Sequence, residues 1–441
     1  MSFNIGLSGL YAANKSLDVT GNNIANVATT GFKSSRVEFA DQYAQSIRGT
    51  SGNTSVGSGV TTAAVSQQFT QGTLTTGTAN SLDLAINGNG FFMLSNNGEK
   101  LYTRAGAFHT DKDGMVVNVS GQNLQGYNVD ANGNVVTGVL GNLKVDSSNL
   151  APNATARIKI GSNLDSRQVP PEVNVFDPTN VKSYNSTYST PVYDTQGNQH
   201  SLDQYFVKTD TNKWSMYTLV DGRSIAAPDA EPPVAAKTDL VFLPSGELQL
   251  TPAPTSTDGV SVATDGTFSI AGWKPGQNIG TEATPDWVEN GAASKTIQLD
   301  MLSTSQTASV SGAITKVQDG FATGQISAMN VDATGNLFAT YTNGQSKVIG
   351  QVSLTNFANV QGLAPAGGTN WRESYASGVP VSGAPESGTL GYITGQALED
   401  SNVDLTGELV NLIKAQSNYQ ANAKTISTQS TIMQTTIQMV N

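Results

Sequence analysis

The sequence predicts a multidomain α+β protein, in which N- and C-terminal coiled-coil helices form a stem and antiparallel β domains protrude from it. Three observations predict it. Apolar residues step by four and three at both chain ends. Between them, residues 81–360 alternate apolar with polar and are punctuated by Gly, Asn and Asp turns. Stretches rich in Gly, Ser, Thr and Pro separate the two regimes.

The first stripe is Phe3, Leu7, Leu10, Asn14, Leu17, Gly21 and Ile24. Its helix should stop before Gly31, which can take the left-handed conformation, and Phe32 should anchor the exit. Residues 34–80 read as a linker, extended or disordered, with a short amphipathic piece from Val37 to Tyr43. Residues 81–145 with 321–360 read as an inner β domain, and 146–320 as an outer β domain inserted into it. Residues 361–395 return to a Gly/Ala/Pro/Ser linker. The helical core domain is then 1–33 plus 396–441. Its second stripe is Leu405, Leu409, Leu412, Gln416, Tyr419, Ala423, Ile426, Ser430, Met433, Ile437 and Val440, nine apolar positions in eleven. The period is 3.5, that of a coiled coil, and at about 1.5 Å per residue the helix is about 54 Å long. Asp404 and Thr406 sit at its start, where acidic and capping residues are favoured. Two stripes of one period at opposite ends pair more naturally with each other, or with other copies, than with separate globular cores.

Composition excludes several classes. Lys plus Arg is 23 and Asp plus Glu 34, a net charge of −11, with no basic cluster. Nucleic acid and anionic membranes are therefore not expected as partners. No apolar run reaches the ~18 residues of a membrane span, so no membrane insertion is expected. Cysteine is absent, which removes disulfides, thiolate nucleophiles and Cys-based zinc sites. The start MSFNIGLSGL lacks a basic n-region, so export by a Sec signal is not expected.

The residues that could carry chemistry are few. Most acid–base or His-metal arrangements would need His109 or His200, and both read as exposed residues at hairpin ends. Asp-rich turns begin at Asp111, Asp130, Asp194 and Asp332. None has the Gly at six and Glu at twelve of a calcium loop, and each reads as a hairpin turn. Gly88-Asn89-Gly90 lacks the third Gly of a dinucleotide loop. No catalytic, cofactor-binding or metal-binding residues are expected, and no enzymatic activity.

Three blocks resemble a known family. Gly21-Asn22-Asn23-Ile24-Ala25-Asn26 with Gly31-Phe32-Lys33 is similar to the N-terminal signature of bacterial flagellar rod and hook proteins. Leu101-Tyr102-Thr103-Arg104-Ala105-Gly106-Ala107-Phe108, Asp113-Gly114 and the run Gly121 to Tyr127 look like that superfamily's next block. Leu398-Glu399-Asp400-Ser401-Asn402-Val403-Asp404-Leu405, with Ala415-Gln416 and Tyr419-Gln420, resembles its C-terminal signature. The insert of roughly 146–320 places the resemblance closest to the hook proteins, since rod proteins are much shorter. Ser417 stands where hook proteins commonly have Arg, and the 49–62 region is longer than usual.

The resemblance implies a flexible hollow helical homopolymer, a universal joint that transmits torque from the motor rod to the filament. It implies contacts with hook cap, distal rod, hook-filament junction and flagellar type III export proteins, at an extracellular position reached without a Sec signal. It also implies that the terminal helices line the tube. The apolar stripes are then the assembly seam, and Asn22, Asn23, Ile24, Ala25, Asn26, Gly31, Phe32, Lys33, Ser401, Asn402, Val403 and Asp404 the signature residues. Two alternatives stand beside this reading: a distal-rod or hook-like axial protein, and a secreted adhesin or surface-layer protein. The latter would share the acidic Thr-rich composition but would not need heptads at both ends.

Overall fold

The computed structural model describes residues 2–42, 57–130, 133–146, 148–263, 265–281 and 285–440. Tyr43 and most of the 49–62 region lie outside the described residues. The chain divides into two compact units. The first comprises 1–147, 326–340 and 346–441, and the second 148–325 with 341–345.

In the first unit, antiparallel pairing runs from Asn336–Tyr341 through Ser346–Val352, Asn123–Val129, Phe91–Asn96, Glu99–Thr103 and Asn370–Arg372 to Ala364–Gly367. The strand Phe91–Asn96 shows why the sheet is stable. Successive side chains point to opposite faces, and here both faces are covered. Phe92 and Leu94 join a core with Leu84, Ile86, Phe108 and Leu354. Phe91 and Met93 join a second core with Tyr102, Phe357, Leu363 and Trp371.

That second core changes the two segments read as linkers. Phe69, from 34–80, packs on Phe91 and Trp371 with ring centroids 5.8 and 5.5 Å apart. Residues 361–395 contribute Ala364–Gly367 and Asn370–Arg372 to the sheet, Val381–Gly383 beside Leu354–Asn356, and Tyr392–Gly395 beside Leu84–Asn87. Ser35–Asp41 and Val60–Gln67 form an antiparallel pair, and Leu74–Thr76 pairs with Ala397–Glu399. The Gly/Ser/Thr composition is that of a linker. Its sparse large residues, Phe69, Leu363 and Trp371, are enough to dock it.

The second unit holds a four-stranded antiparallel sheet, Ser186–Tyr193, Gln199–Asp210, Lys213–Val220 and Ala236–Val241. Another sheet is built around Arg157–Asp165. Both contribute to one core that includes Ile160, Phe206, Trp214, Leu240, Phe268 and Leu299. Arg157–Asp165 corrects the expectation of antiparallel pairing throughout. It pairs parallel with Ile297–Asp300 and Ser305–Thr307, and antiparallel with Gly312–Gln318. Parallel neighbours need long crossovers, and the whole four-stranded sheet lies in sequence between these partners.

The Asp turns are hairpin turns, as read. In those at Asp130, Asp194 and Asp332, the aspartate Oδ1 accepts the N–H of the residue four on, at 2.9, 2.9 and 2.8 Å. His109 is exposed, as expected. His200 is not: it is 6% exposed, between two aspartates. Hairpin position alone does not report which face of a strand meets the core.

Candidate assembly site: two terminal helices and a buried ion triad

Helix α1 spans Ser2–Ala25 and α2 spans Leu405–Val440. Asp404 caps α2, its Oδ1 accepting the Thr406 N–H at 3.1 Å. The helices run side by side in opposite directions. A Cβ placed on Gly6 would lie 3.1 Å from Ile426 Cγ1, and one on Gly9 would lie 2.4 Å from Asn422 Oδ1. At the other end Asn23 Nδ2 donates to Glu408 Oε1 at 3.2 Å.

The face of α1 turned to α2 is therefore made of small and polar residues: Gly6, Gly9, Ala13, Ser16, Thr20 and Asn23. They step by three and four, as the leucine stripe does, and Ala13, Thr20 and Asn23 are buried. Ser16 and Thr20 share a cleft of about 410 Å³ with Glu408, Ala415 and Asn418. Small residues let two backbones approach closely. Scoring large apolar side chains misses this stripe, and its signal was the Gly6-x-x-Gly9-x-x-x-Ala13 spacing.

The expected seam residues lie beside this contact. Leu7, Leu10, Leu17, Ile24, Leu412 and Ile426 are half-buried. Phe3, Leu405, Leu409, Tyr419, Met433 and Ile437 are exposed, and the side chain of Val440 lies outside the described residues. Gly6 opposite Ile426 and Asn23 opposite Glu408 set the register, so α2 beyond about residue 430 has no α1 alongside. Every described side chain from Ser430 to Met439 is exposed.

Where the helices meet the sheets, the three signature blocks converge. Glu399, fully buried, takes Lys33 Nζ on Oε1 at 2.5 Å and Arg104 Nη1 on Oε2 at 3.1 Å. Lys33, 1% exposed, also donates to the Thr70 carbonyl at 2.7 Å, and Arg104 to the Gly88 carbonyl at 2.7 Å. The Gly72 N–H completes the carboxylate at 3.0 Å. Burial pushes the Lys33 ammonium below its usual pKa, and Glu399 only partly offsets this; Arg104 is pulled down for the same reason. Two cations share one anion, so the cluster carries a net buried positive charge. Such a cluster fixes geometry at a cost in stability.

The other signature residues serve the same junction. Asn23 clasps Ser35 at both N–H and C=O, at 2.9 and 2.8 Å. Asn402 accepts the Ser34 N–H at 2.7 Å and donates to the Gln68 carbonyl at 2.7 Å. Gly31 does not cap α1, which ends at Ala25. Its φ is +69° and a Cβ there would lie 2.4 Å from Ala105 N, so it allows the chain to pass close to the Arg104 strand end. Asn26 ties back to the Asn22 carbonyl at 2.9 Å, and Ser401 Oγ accepts the Val403 N–H at 3.3 Å. Phe32 and Val403 are half-buried, while Asn22 and Ala25 are exposed. Glu399 and Arg104 stand in the blocks that carry the resemblance, but neither is among the seam or signature residues given above. Nothing in a lone sequence marks one charged residue among many as buried.

A mostly β chain whose two terminal helices are locked to its sheets through these signature blocks has the build of a flagellar axial protein. Family profiles agree along the chain: a flagella basal body rod protein profile at residues 3–33, the flagellar hook protein FlgE/F/G D1 domain at 85–172, the flagellar basal body protein FlaE D2 domain at 163–321, and the flagellar basal body rod FlgEFG protein C-terminal region at 394–439. The flagellar hook proteins FlgE of Salmonella typhimurium (strain LT2) and Escherichia coli (strain K12) are each 38% identical, over 100% of this chain and 100% of theirs. That of Borreliella burgdorferi is 31% identical over 99% of this chain and 98% of its own. The chain belongs to the flagellar hook protein FlgE family, and it is a structural subunit of the flagellar hook.

Proposed function

We propose that α1 and α2 form coiled-coil seams in the core of a hollow helical polymer, with the β units outside them. The polymer acts as a universal joint between the motor rod and the filament. The single observation that carries this reading is the open apolar stripe of α2, whose C-terminal turns have no partner among the described residues. Leu405, Leu409, Tyr419, Met433 and Ile437 supply one line of contacts, and Phe3, Leu7, Leu10, Leu17 and Ile24 the other. The ion triad holds stem and sheet in one geometry, so torque on one reaches the other. The low charged fraction, 13%, suits outer contacts that slide as the tube bends, because neutral hydrogen-bonding groups exchange partners at a net cost of about 1 kcal/mol each. On this reading the subunit has no catalytic role, leaves the cell through the flagellar type III apparatus, and meets the hook cap, the distal rod and the junction proteins.

Met433→Asp tests the reading. Met433 is 52% exposed in the single chain, so the free subunit should fold unchanged. In the polymer the substitution would bury an unpaired charge, which costs several kcal/mol. The expected outcome by electron microscopy is rods without hooks. Hooks of normal length from this variant would overturn the seam.

A further inference from the structure

The second unit holds a charged cluster that is separate from the terminal helices and the Glu399 triad. His200, near the start of the strand Gln199–Asp210, has both ring nitrogens aimed at carboxylates. Its Nδ1 lies 2.6 Å from Asp221 Oδ2, and its Nε2 lies 3.4 Å from Asp194 Oδ2. Ionised carboxylates are acceptors only, and a neutral imidazole has one N–H and one lone pair. A neutral ring would therefore point a lone pair at one of the two aspartates; only the imidazolium presents an N–H to both. The ring stands edge-to-face on Trp273, with centroids 5.4 Å apart.

The partners are themselves fixed. Asp221 Oδ1 accepts the Ser201 N–H at 2.7 Å, and Asp194 Oδ2 accepts Asn290 Nδ2 at 2.7 Å and Asn198 Nδ2 at 2.9 Å. The ring thus joins the Asp194 turn, which Asn290 ties to its own loop, to the Asp221 turn that follows Lys213–Val220. Among the described residues, the titratable groups facing it are these two aspartates. Trp273 and Asn290, on the other segments packed here, bring no charge.

We propose that His200 is a proton-operated clamp of the second unit, which fastens the Asp194 and Asp221 turns together while its ring is protonated and loosens when the proton leaves. Burial alone would lower the ring's pKa, but the hydrogen bonds and charges of Asp221 and then Asp194 outweigh it, so it stands above the usual 6.5. A raised folded-state pKa contributes stability that is fully present below the unfolded value and is lost as pH rises through the folded one. Asp194 works in the opposite sense. Burial alone would raise its pKa, but hydrogen bonds from Asn198, Asn290 and His200 hold it below the usual 3.8, so its contribution is lost only in stronger acid. The clamp is closed in weak acid and opens toward alkaline pH.

The chain has only two histidines, so the test is clean. Nitrogen-15 spectra of the full-length protein, with His109→Gln to assign the signals, should show both His200 ring nitrogens protonated at about pH 6.5. Hydrogen exchange of the full-length chain, corrected for intrinsic rates, gives the second readout. From about pH 6 to 9, amides of Gln199–Asp210 should lose protection relative to those of Phe91–Asn96. In His200→Gln that relative loss should vanish, with protection already low at the acid end. A neutral His200 ring in weak acid would overturn the clamp, as would an unchanged pH dependence in the variant. If His200→Gln does not fold, the wild-type spectrum decides by itself.

Discussion

In the strand Phe91–Asn96, the chain buries Phe91, Phe92, Met93 and Leu94 by itself, whereas in α2 it leaves Leu405, Leu409, Met433 and Ile437 exposed. The strand carries four consecutive apolar residues that serve both of its faces, and α2 carries its apolar residues at a helical period. The difference lies in what covers them. The sheets close on two cores within the first unit and one within the second. The helices meet each other mainly along Gly6, Gly9, Ala13, Ser16, Thr20 and Asn23, which leaves Phe3, Leu405, Leu409, Tyr419, Met433 and Ile437 exposed. The sheets bury their apolar residues within one chain, and the helices leave several of theirs exposed.

The composition of α2 deepens the contrast. Its second half is rich in β-branched residues, which lose side-chain freedom in a helix. Thr425, Thr428, Thr431, Thr435 and Thr436 each return their hydroxyl to the carbonyl four residues back, at 2.8–3.1 Å. Such back-bonding slightly destabilises a helix. A helix of this kind, packed on one side only by small residues, is marginal in water. In dilute monomer, amides of 2–25 and 405–440 should therefore exchange orders of magnitude faster than those of 91–96 and 124–127, and polymerisation should slow them. Helix amides that exchange as slowly as the strands in dilute monomer would break the contrast.

The next largest effect belongs to the junction between the two regions. Glu399→Gln would leave Lys33 and Arg104 as two buried cations without an anion, and loss of one partner of a buried pair costs about 3–5 kcal/mol. Lys33→Met should cost far less, because it leaves Glu399 and Arg104 as a balanced pair. Denaturant midpoints of the full-length variants would report this asymmetry in the first unit. Equal losses from the two substitutions would mean that packing, not charge balance, governs the junction.

Much of this was legible in the sequence, and the exceptions share a cause. Alternation around Phe92 and Leu94, the hairpin turns at Asp130, Asp194 and Asp332, and both terminal helices are local patterns. Each is written within a few residues by side-chain period or turn chemistry. The misses depend on what meets across long separations. Trp371 docks a Gly-rich segment because Phe69 and Phe91 lie nearby, and His200 is buried because Asp221 and Trp273 close over it. Glu399 finds Lys33 from 366 residues away. The helix contact was missed for a different reason: it uses Gly6 and Gly9, whose lack of a side chain is the signal.

The smallest expected effect separates the two regions most cleanly. Asp404 lies at the boundary, the last residue before α2, with its carboxylate on the Thr406 N–H and its carbonyl on the Glu408 N–H at 2.9 Å. The capping side chain satisfies one of the N–H groups that a helix start leaves unpaired, and its negative charge suits the helix N-terminus. Asp404→Ala removes both and should cost about 1 kcal/mol. Asp404→Asn keeps the acceptor and should restore most of it. The location of that loss is the informative part. Should α2 and the sheets be separate in stability, circular dichroism will show lost helix and exchange will quicken in 405–440, with Phe91–Asn96 unchanged. Should Asp404→Ala weaken Phe91–Asn96 as much as α2, the triad at Glu399 binds helix and sheet into one cooperative unit. The open stripe of α2 would then belong to a body already folded before assembly.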